Sequence, residues 1–144
     1  MNSRSITLLA TATLIACAHP ADIAAPDENG RVIGTIEDHG LKLQLQLPST
    51  VMHGEDFTVS VTTYGGGCIS KGDTDVDRDG LTPVITPYDI DSSRPDTYCT
   101  LILKYITHEA VLRFDTPGVA TLIIRGQQKP SREIFSVQRT VIVQ

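Results

Sequence analysis

The sequence has few basic residues, and this shortage limits the partners that the protein can have. Lys and Arg number 12 against 17 Asp and Glu, so the formal net charge is −5 at pH 7. A nucleic-acid-binding domain needs a basic face that neutralises phosphates. The same acidic balance gives no electrostatic attraction to anionic lipid. We therefore expect no nucleic-acid partner, and any attachment to a membrane has to come from another source.

The sequence also lacks the spacings that mark common catalytic and metal sites. It contains no Gly-x-Ser-x-Gly and no phosphate-binding glycine loop. Aromatic residues make up only 5% of the chain, and no pair of carboxylates lies in an aromatic-rich segment of the kind that sugar hydrolysis favours. The histidines never recur at i+2 or i+4; they are His19, His39, His53 and His108. We therefore expect a protein that is not an enzyme and holds no cofactor.

The first sixteen residues have the layout of an export signal. Arg4 supplies a positive start, and residues 6–16 are apolar or small apart from threonines. This run is too short to cross a bilayer core, which needs about 20 helical residues. A positive start, a short apolar run and small residues are typical of a signal peptide, which we assign to residues 1–16. The alternative is a buried N-terminal helix.

The end of this segment resembles the lipobox of bacterial lipoproteins. Leu14-Ile15-Ala16-Cys17 has two aliphatic residues, a small residue and a cysteine. The resemblance implies cleavage before Cys17 and a diacylglycerol on its thiol, so that the protein is a lipid-anchored protein of the cell envelope. Ala18 follows where aspartate favours the inner membrane of enteric bacteria, so the outer membrane or the cell surface is favoured. Residues 17–30 are then the lipidated cysteine and a flexible tether.

Two cysteines remain once Cys17 is assigned to the lipid. Cys68 and Cys99 would lie in an oxidising compartment, where a disulfide is the expected state. Such a bond would close a loop of about 30 residues and contribute about 3–4 kcal/mol in the chain-entropy model. The alternative is a redox or metal-binding pair of thiols, although neither cysteine lies in a Cys-x-x-Cys motif.

The rest of the chain shows the two-residue period of β-strands. In 41–47 and 57–61, apolar residues alternate with polar ones, which indicates strands buried on one face. No amphipathic helical window of useful length appears after the signal segment. We expect an antiparallel β-sandwich of seven or eight strands over residues 31–144. The expected strands are 31–36, 41–47, 57–61, 81–86, 100–106, 110–114, 119–124 and 135–143.

Two stretches resemble bacterial immunoglobulin-like domains of surface proteins. They are LPSTVMHGEDFTVSV and LRFDTPGVATLIIRG, each a turn that leads into a strand. The resemblance covers residues 47–144 and implies an immunoglobulin-like architecture. The chain departs from the antibody-type pattern, because it has no tryptophan and Val119-Ala120 stands where a corner tyrosine would be. As a whole, the chain also resembles small bacterial lipoproteins that have no assigned activity.

An acidic stretch between the cysteines offers an alternative function. Asp75, Asp77 and Asp79 alternate before Gly80, as in the first half of a calcium loop, and Asp73 precedes them. The twelfth loop position, which should carry a bidentate carboxylate, falls on Thr86. We therefore favour a solvated acidic loop over 73–80, with a weak calcium site as the alternative.

A glycine run offers a second alternative. Gly65, Gly66 and Gly67 precede Cys68 and could form an exposed loop that binds a ligand or inhibits a protease. We favour a strand end at which the backbone approaches closely and aims Cys68 at Cys99. The function that we expect is a non-enzymatic interaction or structural module of the envelope. Its partners would be the membrane, through the lipid, and an envelope protein.

Overall fold

The computed structural model describes residues 26–144, which form ten β-strands and no helix. The predicted all-β class is therefore confirmed, with ten strands in place of the seven or eight expected. Within the described part of the chain, no helix is long and apolar enough to cross a membrane. The strands are β1 (Arg31–Ile33), β2 (Thr35–Asp38), β3 (Gln44–Gln46), β4 (Thr50–Val51), β5 (Asp56–Gly65), β6 (Ile69–Asp77), β7 (Val84–Asp91), β8 (Lys104–Arg113), β9 (Gly118–Lys129) and β10 (Glu133–Val143).

The strands form one large and one small sheet. The large sheet has seven strands in the order β1-β7-β9-β10-β4, with β6 paired to β7 and β2 paired to β9. The small sheet has the order β3-β5-β8 and is antiparallel throughout. The predicted antiparallel pairing is therefore confirmed for the small sheet. It is wrong for part of the large sheet, where β7 and β2 each pair with β9 in parallel and β4 pairs with β10 in parallel.

One of the parallel pairs, β2 with β9, arises because the chain changes partners at Gly34. Before it, β1 pairs with β7; after it, β2 pairs with β9. The Gly34 N–H donates to the Pro87 carbonyl at 2.8 Å, and the Gln127 N–H donates to the Gly34 carbonyl at 2.9 Å. A Cβ at Gly34 would collide with Thr63 and with the Pro87 carbonyl. Only glycine allows the backbone to pass this closely between two strands.

Both sheets contribute to a single core. The alternation that predicts one-faced burial is clear in β8, where every second residue from Ile106 to Leu112 is buried. Leu43, Leu45 and Leu47 are half-buried and pack against the core. Within the described residues, the core extends from Ile36 to Val143. Its residues are Ile36, Val51, Val59, Val61, Ile85, Ala110, Leu112, Phe114, Ala120, Leu122, Ile124, Val141 and Val143.

Three parts of the chain differ from the strand predictions. Residues 73–77 belong to β6, whereas the sequence analysis expects a loop over 73–80. The predicted strands 100–106 and 110–114 are one strand, β8, which begins only at Lys104. Residues 27–30, assigned to the tether, form a hydrogen-bonded turn. The first two differences follow from composition, since alternating aspartates resemble a loop and an apolar run resembles a strand wherever it lies.

Candidate functional site

The link between β5 and β6 is a point of close backbone approach. It consists of Gly65, Gly66 and Gly67, and we call it the glycine link. The Gly67 N–H donates to the Thr100 carbonyl at 3.0 Å, and a Cβ at Gly67 would collide with Thr100. Gly65 is buried and packs on Ile69. The link is therefore the close-approach strand end that the sequence analysis favours.

The glycine link places Cys68 opposite Cys99. The two cysteines form a disulfide with a Cα–Cα distance of 5.2 Å, which confirms the predicted bond. This distance lies within the usual range for disulfides. The bond joins the start of β6 to the segment between β7 and β8, so it fixes a loop that is otherwise without strand pairing.

That loop, residues 92–103, is held firmly at its base, and we call it the disulfide loop. The Ser92 N–H and Oγ both donate to the Cys68 carbonyl, at 3.1 and 2.9 Å. Lys104 Nζ donates to the carbonyls of Gly67 and Ile69, at 2.8 and 2.9 Å. Together with the disulfide, these bonds tie both ends of the loop to the β5–β6 link.

The second half of the disulfide loop, around Cys99, exposes large apolar side chains. Leu101 and Tyr98 are 104% and 102% exposed, so both project clear of the surface. Ile102 and Leu103 are about half exposed. We call these four residues the apolar tip. Contiguous exposed apolar groups on a soluble domain mark contact surfaces for proteins, ligands or membranes.

An open groove of about 590 Å³ lies beside the apolar tip. The glycine link and the disulfide form one wall, and Leu101, Ile102 and Leu103 form another. Asp38, His39 and Lys129 complete the lining on the side of the large sheet. The groove is wide open, so it adds surface to the tip and does not enclose a small molecule.

The first described residues pack at the same end of the molecule. The Asp27 side chain accepts hydrogen bonds from the N–H groups of Asn29 and Arg31, at 2.8 and 2.9 Å, and closes a turn. The Asp91 N–H donates to the Gly30 carbonyl at 2.7 Å. Asp91 is the last residue of β7 and directly precedes the disulfide loop. The chain therefore enters the fold beside this loop, while Cys17 lies outside the described residues.

The predicted calcium ligands lie along a strand. Asp73, Asp75 and Asp77 occupy alternate exposed positions of β6, and Asp79 follows in a turn. Alternate strand residues point to one side but stand about 6.6 Å apart along the strand, so they do not coil around one ion as a calcium loop does. Within residues 26–144 no group of three or more His, Cys, Asp or Glu side chains is placed to hold a metal. Calcium binding itself stays a prediction that only a binding measurement can test.

Two of these aspartates bind an arginine from β1. Arg31 donates to both oxygens of Asp73 at 2.8 Å and to Asp75 at 3.0 Å. Its guanidinium also lies 3.3 Å from the ring centre of Tyr88 on β7. The hydrogen bonds from Arg31 lower the pKa of Asp73, and those to Asp73 raise the pKa of Arg31. The acidic stretch therefore joins β6 to β1 across β7, a role that sequence spacing does not reveal.

A buried polar network, also missed by the sequence analysis, connects the two sheets. His108 on β8 and Asp89 on β7 are buried, and Nε2 donates to Asp89 Oδ1 at 3.0 Å. Thr63 Oγ1 on β5 lies 3.2 Å from Nε2, and Thr74 Oγ1 on β6 lies 3.4 Å from Nδ1. The alternation of apolar and polar residues around His108 could have predicted its burial, because it places His108 on the same face as Ile106 and Ala110.

The geometry of this network suits a structural role. In a nucleophile relay the hydroxyl and the carboxylate bind opposite nitrogens of the imidazole. Here the Thr74 hydroxyl and the Asp89 carboxylate do lie on opposite nitrogens, but His108 has no exposed surface through which a substrate could reach it. In the described part of the chain, every buried side-chain nitrogen or oxygen has a hydrogen-bond partner. The network is thus a fully satisfied polar connection between the sheets.

The remaining predicted positions lie apart from one another. His39 is exposed in the β2–β3 segment and contacts Asp38. His53 Nδ1 lies 2.8 Å from the carbonyl of Gln144. His19 and Cys17 fall outside the described residues.

Comparison with known proteins gives no relative from which a function can be transferred. No protein-family model, no curated protein and no solved structure matches this chain significantly. The function therefore has to be inferred from the residues and the geometry described above.

Proposed function

We propose that this protein is a lipid-anchored component of the bacterial cell envelope that acts as a non-enzymatic interaction or structural module. The observation that carries the proposal is Leu14-Ile15-Ala16-Cys17 at the end of a short apolar run. A diacylated cysteine would hold the acidic chain at a membrane to which its charge does not attract it. We place it at the outer membrane or the cell surface, because Ala18 follows the cysteine.

Several features of the fold support this proposal. The Cys68–Cys99 disulfide is suited to an oxidising, exported location. The best candidate for acid–base chemistry, the His108–Asp89 pair, is enclosed in the protein and already satisfied. The exposed features are instead an apolar tip and a groove, which are typical of contact surfaces. Two sheets around one core also support the proposed immunoglobulin-like β-sandwich, and the envelope partner would bind its loops or free strand edges.

The lipid anchor is tested by intact mass. The full chain, expressed in a bacterium and extracted from its membranes, should begin at Cys17 and carry the mass of a diacylglycerol. Cys17→Ser should remove the acyl mass and block cleavage, while Ser5→Ala, a change within the signal segment, should leave both unchanged. A wild-type protein with no acyl mass would refute the anchor.

A further inference from the structure

The apolar tip combines exposure, neutrality and a fixed base. Arg94 and Asp96 are the only charged residues in positions 92–103, so the disulfide loop is neutral within a chain of net charge −5. Contact of this loop with lipid is therefore not opposed by charge. Leu101 and Tyr98 stand clear of the surface, where burial in an apolar medium would remove nearly all of their area from water.

The tip lies where a lipid anchor would hold the domain. Pro26, the first described residue, lies together with Asp91, Ser92 and Arg94 around one surface depression, next to the start of the disulfide loop. Pro26 lies nine positions after Cys17, and a chain of that length reaches at most about 30 Å. A lipid on Cys17 would therefore keep this end of the domain close to the bilayer.

The base of the loop favours insertion without rearrangement. The disulfide, the Ser92 bonds to Cys68 and the Lys104 bonds to the glycine link fix both ends of the loop. A surface held in its bound shape loses less conformational entropy on binding. Residues 92–103 have no strand pairing, so their backbone groups need water or headgroups and cannot enter the hydrocarbon. The depth is thereby limited to the interfacial layer, where tyrosines such as Tyr98 are enriched.

We propose that the apolar tip inserts into the interfacial layer of the bilayer that carries the protein and orients the domain with its disulfide end toward the membrane. The proposal rests on the proposed lipid anchor for the choice of lipid as occupant. A second copy of the chain is the competing occupant. A protein interface needs a packed surrounding patch, whereas Leu101 and Tyr98 project beyond their neighbours and suit a fluid layer that adapts to any shape.

The test uses the absence of tryptophan from the sequence. Leu101→Trp places a single tryptophan at the tip, and Val119→Trp places one at an exposed site near the start of β9, so that each can be excited selectively over the tyrosines. Lys129, at the other end of β9, lines the groove beside the tip, so Val119 lies about 30 Å away along the strand. Each lipidated variant is reconstituted into phosphatidylcholine vesicles with brominated acyl chains. The indole from Leu101→Trp should be quenched and blue-shifted, and the indole from Val119→Trp should not.

A second experiment measures the membrane binding of the apolar tip in the absence of the lipid anchor. A chain that begins at Ala18 lacks the acylated cysteine but keeps every core residue described within 26–144. It should still bind vesicles, and Leu101→Ser/Ile102→Ser should lower its partition coefficient about tenfold or more. Because the contact is apolar, binding should persist at about 1 M salt, where the Debye length is about 3 Å.

The possible outcomes distinguish insertion of the apolar tip from attachment through the lipid on Cys17. A lipidated protein that is bound to vesicles but shows no quenching at Leu101→Trp would overturn the tip insertion and leave the anchor intact. A blue shift without vesicles that grows with protein concentration would overturn it in favour of a second copy. The chain that begins at Ala18 could show quenching of the Leu101→Trp indole while the full chain carries no acyl mass. That result would support insertion of the apolar tip and refute the lipid anchor on Cys17.

Discussion

Removing the carboxylate of Asp89 should destabilise the protein strongly, because it breaks the buried network between the sheets. Asp89 accepts a 3.0 Å hydrogen bond from His108, and both side chains are buried. In Asp89→Ala the His108 ring keeps only its longer contacts with Thr63, at 3.2 Å, and Thr74, at 3.4 Å. A polar ring would then remain in the core without its strongest partner.

The expected size follows from this burial. A buried polar group left unsatisfied costs about 1–3 kcal/mol. We expect a loss of about 3 kcal/mol for Asp89→Ala, equivalent to a fall of about 12 °C in Tm for a domain of this size. Asp89→Asn keeps an acceptor of the same shape toward His108 Nε2 and should lose clearly less.

A double-mutant cycle isolates the interaction. Urea unfolding of Asp89→Ala, His108→Leu and the double variant, with the disulfide intact, gives the three free energies. The double variant leaves neither a buried imidazole nor a buried carboxylate without its partner, so the two single losses should exceed it by about 1–3 kcal/mol. Asp115→Ala is the matched control, because Asp115 accepts from Arg113 at the same 3.0 Å distance. Those two side chains are 80% and 57% exposed, so the control should lose about 0.5 kcal/mol or less.

Two results would refute this reasoning. Asp89→Ala could unfold at the same urea concentration as Asp115→Ala, which would mean that burial does not make the His108 interaction important. Alternatively, the single losses could add without coupling, which would mean that each side chain acts through its own packing. Either result would remove the network as the connection between the sheets.

Two further predictions concern the β1–β6 contact and the disulfide. The Arg31 hydrogen bonds lower the pKa of Asp73 below 3.8, so their stabilisation is present above that pH and is lost as the pH falls through the lower folded value. Asp73 is half exposed, so Asp73→Asn should cost about 0.5–1 kcal/mol at pH 7 in urea titrations, and the difference should close as the pH falls through the lowered pKa of Asp73; a constant difference would contradict this account. Cys68→Ala/Cys99→Ala should lose about 3–4 kcal/mol, as should the reduced wild type, and a variant as stable as the oxidised protein would show that the bond adds nothing.

The sequence predicts those parts of the fold that depend on local pattern. Alternation in 57–61 and β-branched runs in 119–124 and 135–143 identify β5, β9 and β10, since one-faced burial imposes a period of two. The disulfide follows from counting, once Cys17 is set aside. The glycine link follows from the need for close backbone approach before a cysteine.

Partners distant in the chain cannot be predicted in this way. Asp73 looks like part of a loop until Arg31, 42 positions earlier, is placed against it. The parallel pairing of β2 with β9 depends on the change of partner at Gly34, which leaves no periodic trace. His108 looks like an isolated histidine, because its partners come from three other strands. In each case the deciding contact is tertiary.

The run 101–103 shows why apolarity alone does not place a residue. It reads as the start of a strand buried on one face, because a strand and an exposed loop can have the same composition. In the structure Lys104 binds the carbonyls of Gly67 and Ile69, and β8 begins at that residue. The three residues before it are thereby left outside the sheet and exposed.

The end of the molecule where the chain enters the fold also carries the exposed apolar loop. An exposed apolar loop favours aggregation in a free soluble domain, and it is compatible with solubility if a membrane covers it. The disulfide and the glycine link fix the loop at the end where the chain enters the fold. His108 and Asp89, the best candidates for acid–base chemistry, are instead enclosed between the sheets. This division, with a rigid satisfied interior and an apolar end beside the chain entry, suits the proposed attachment of the domain to a bilayer through an N-terminal lipid.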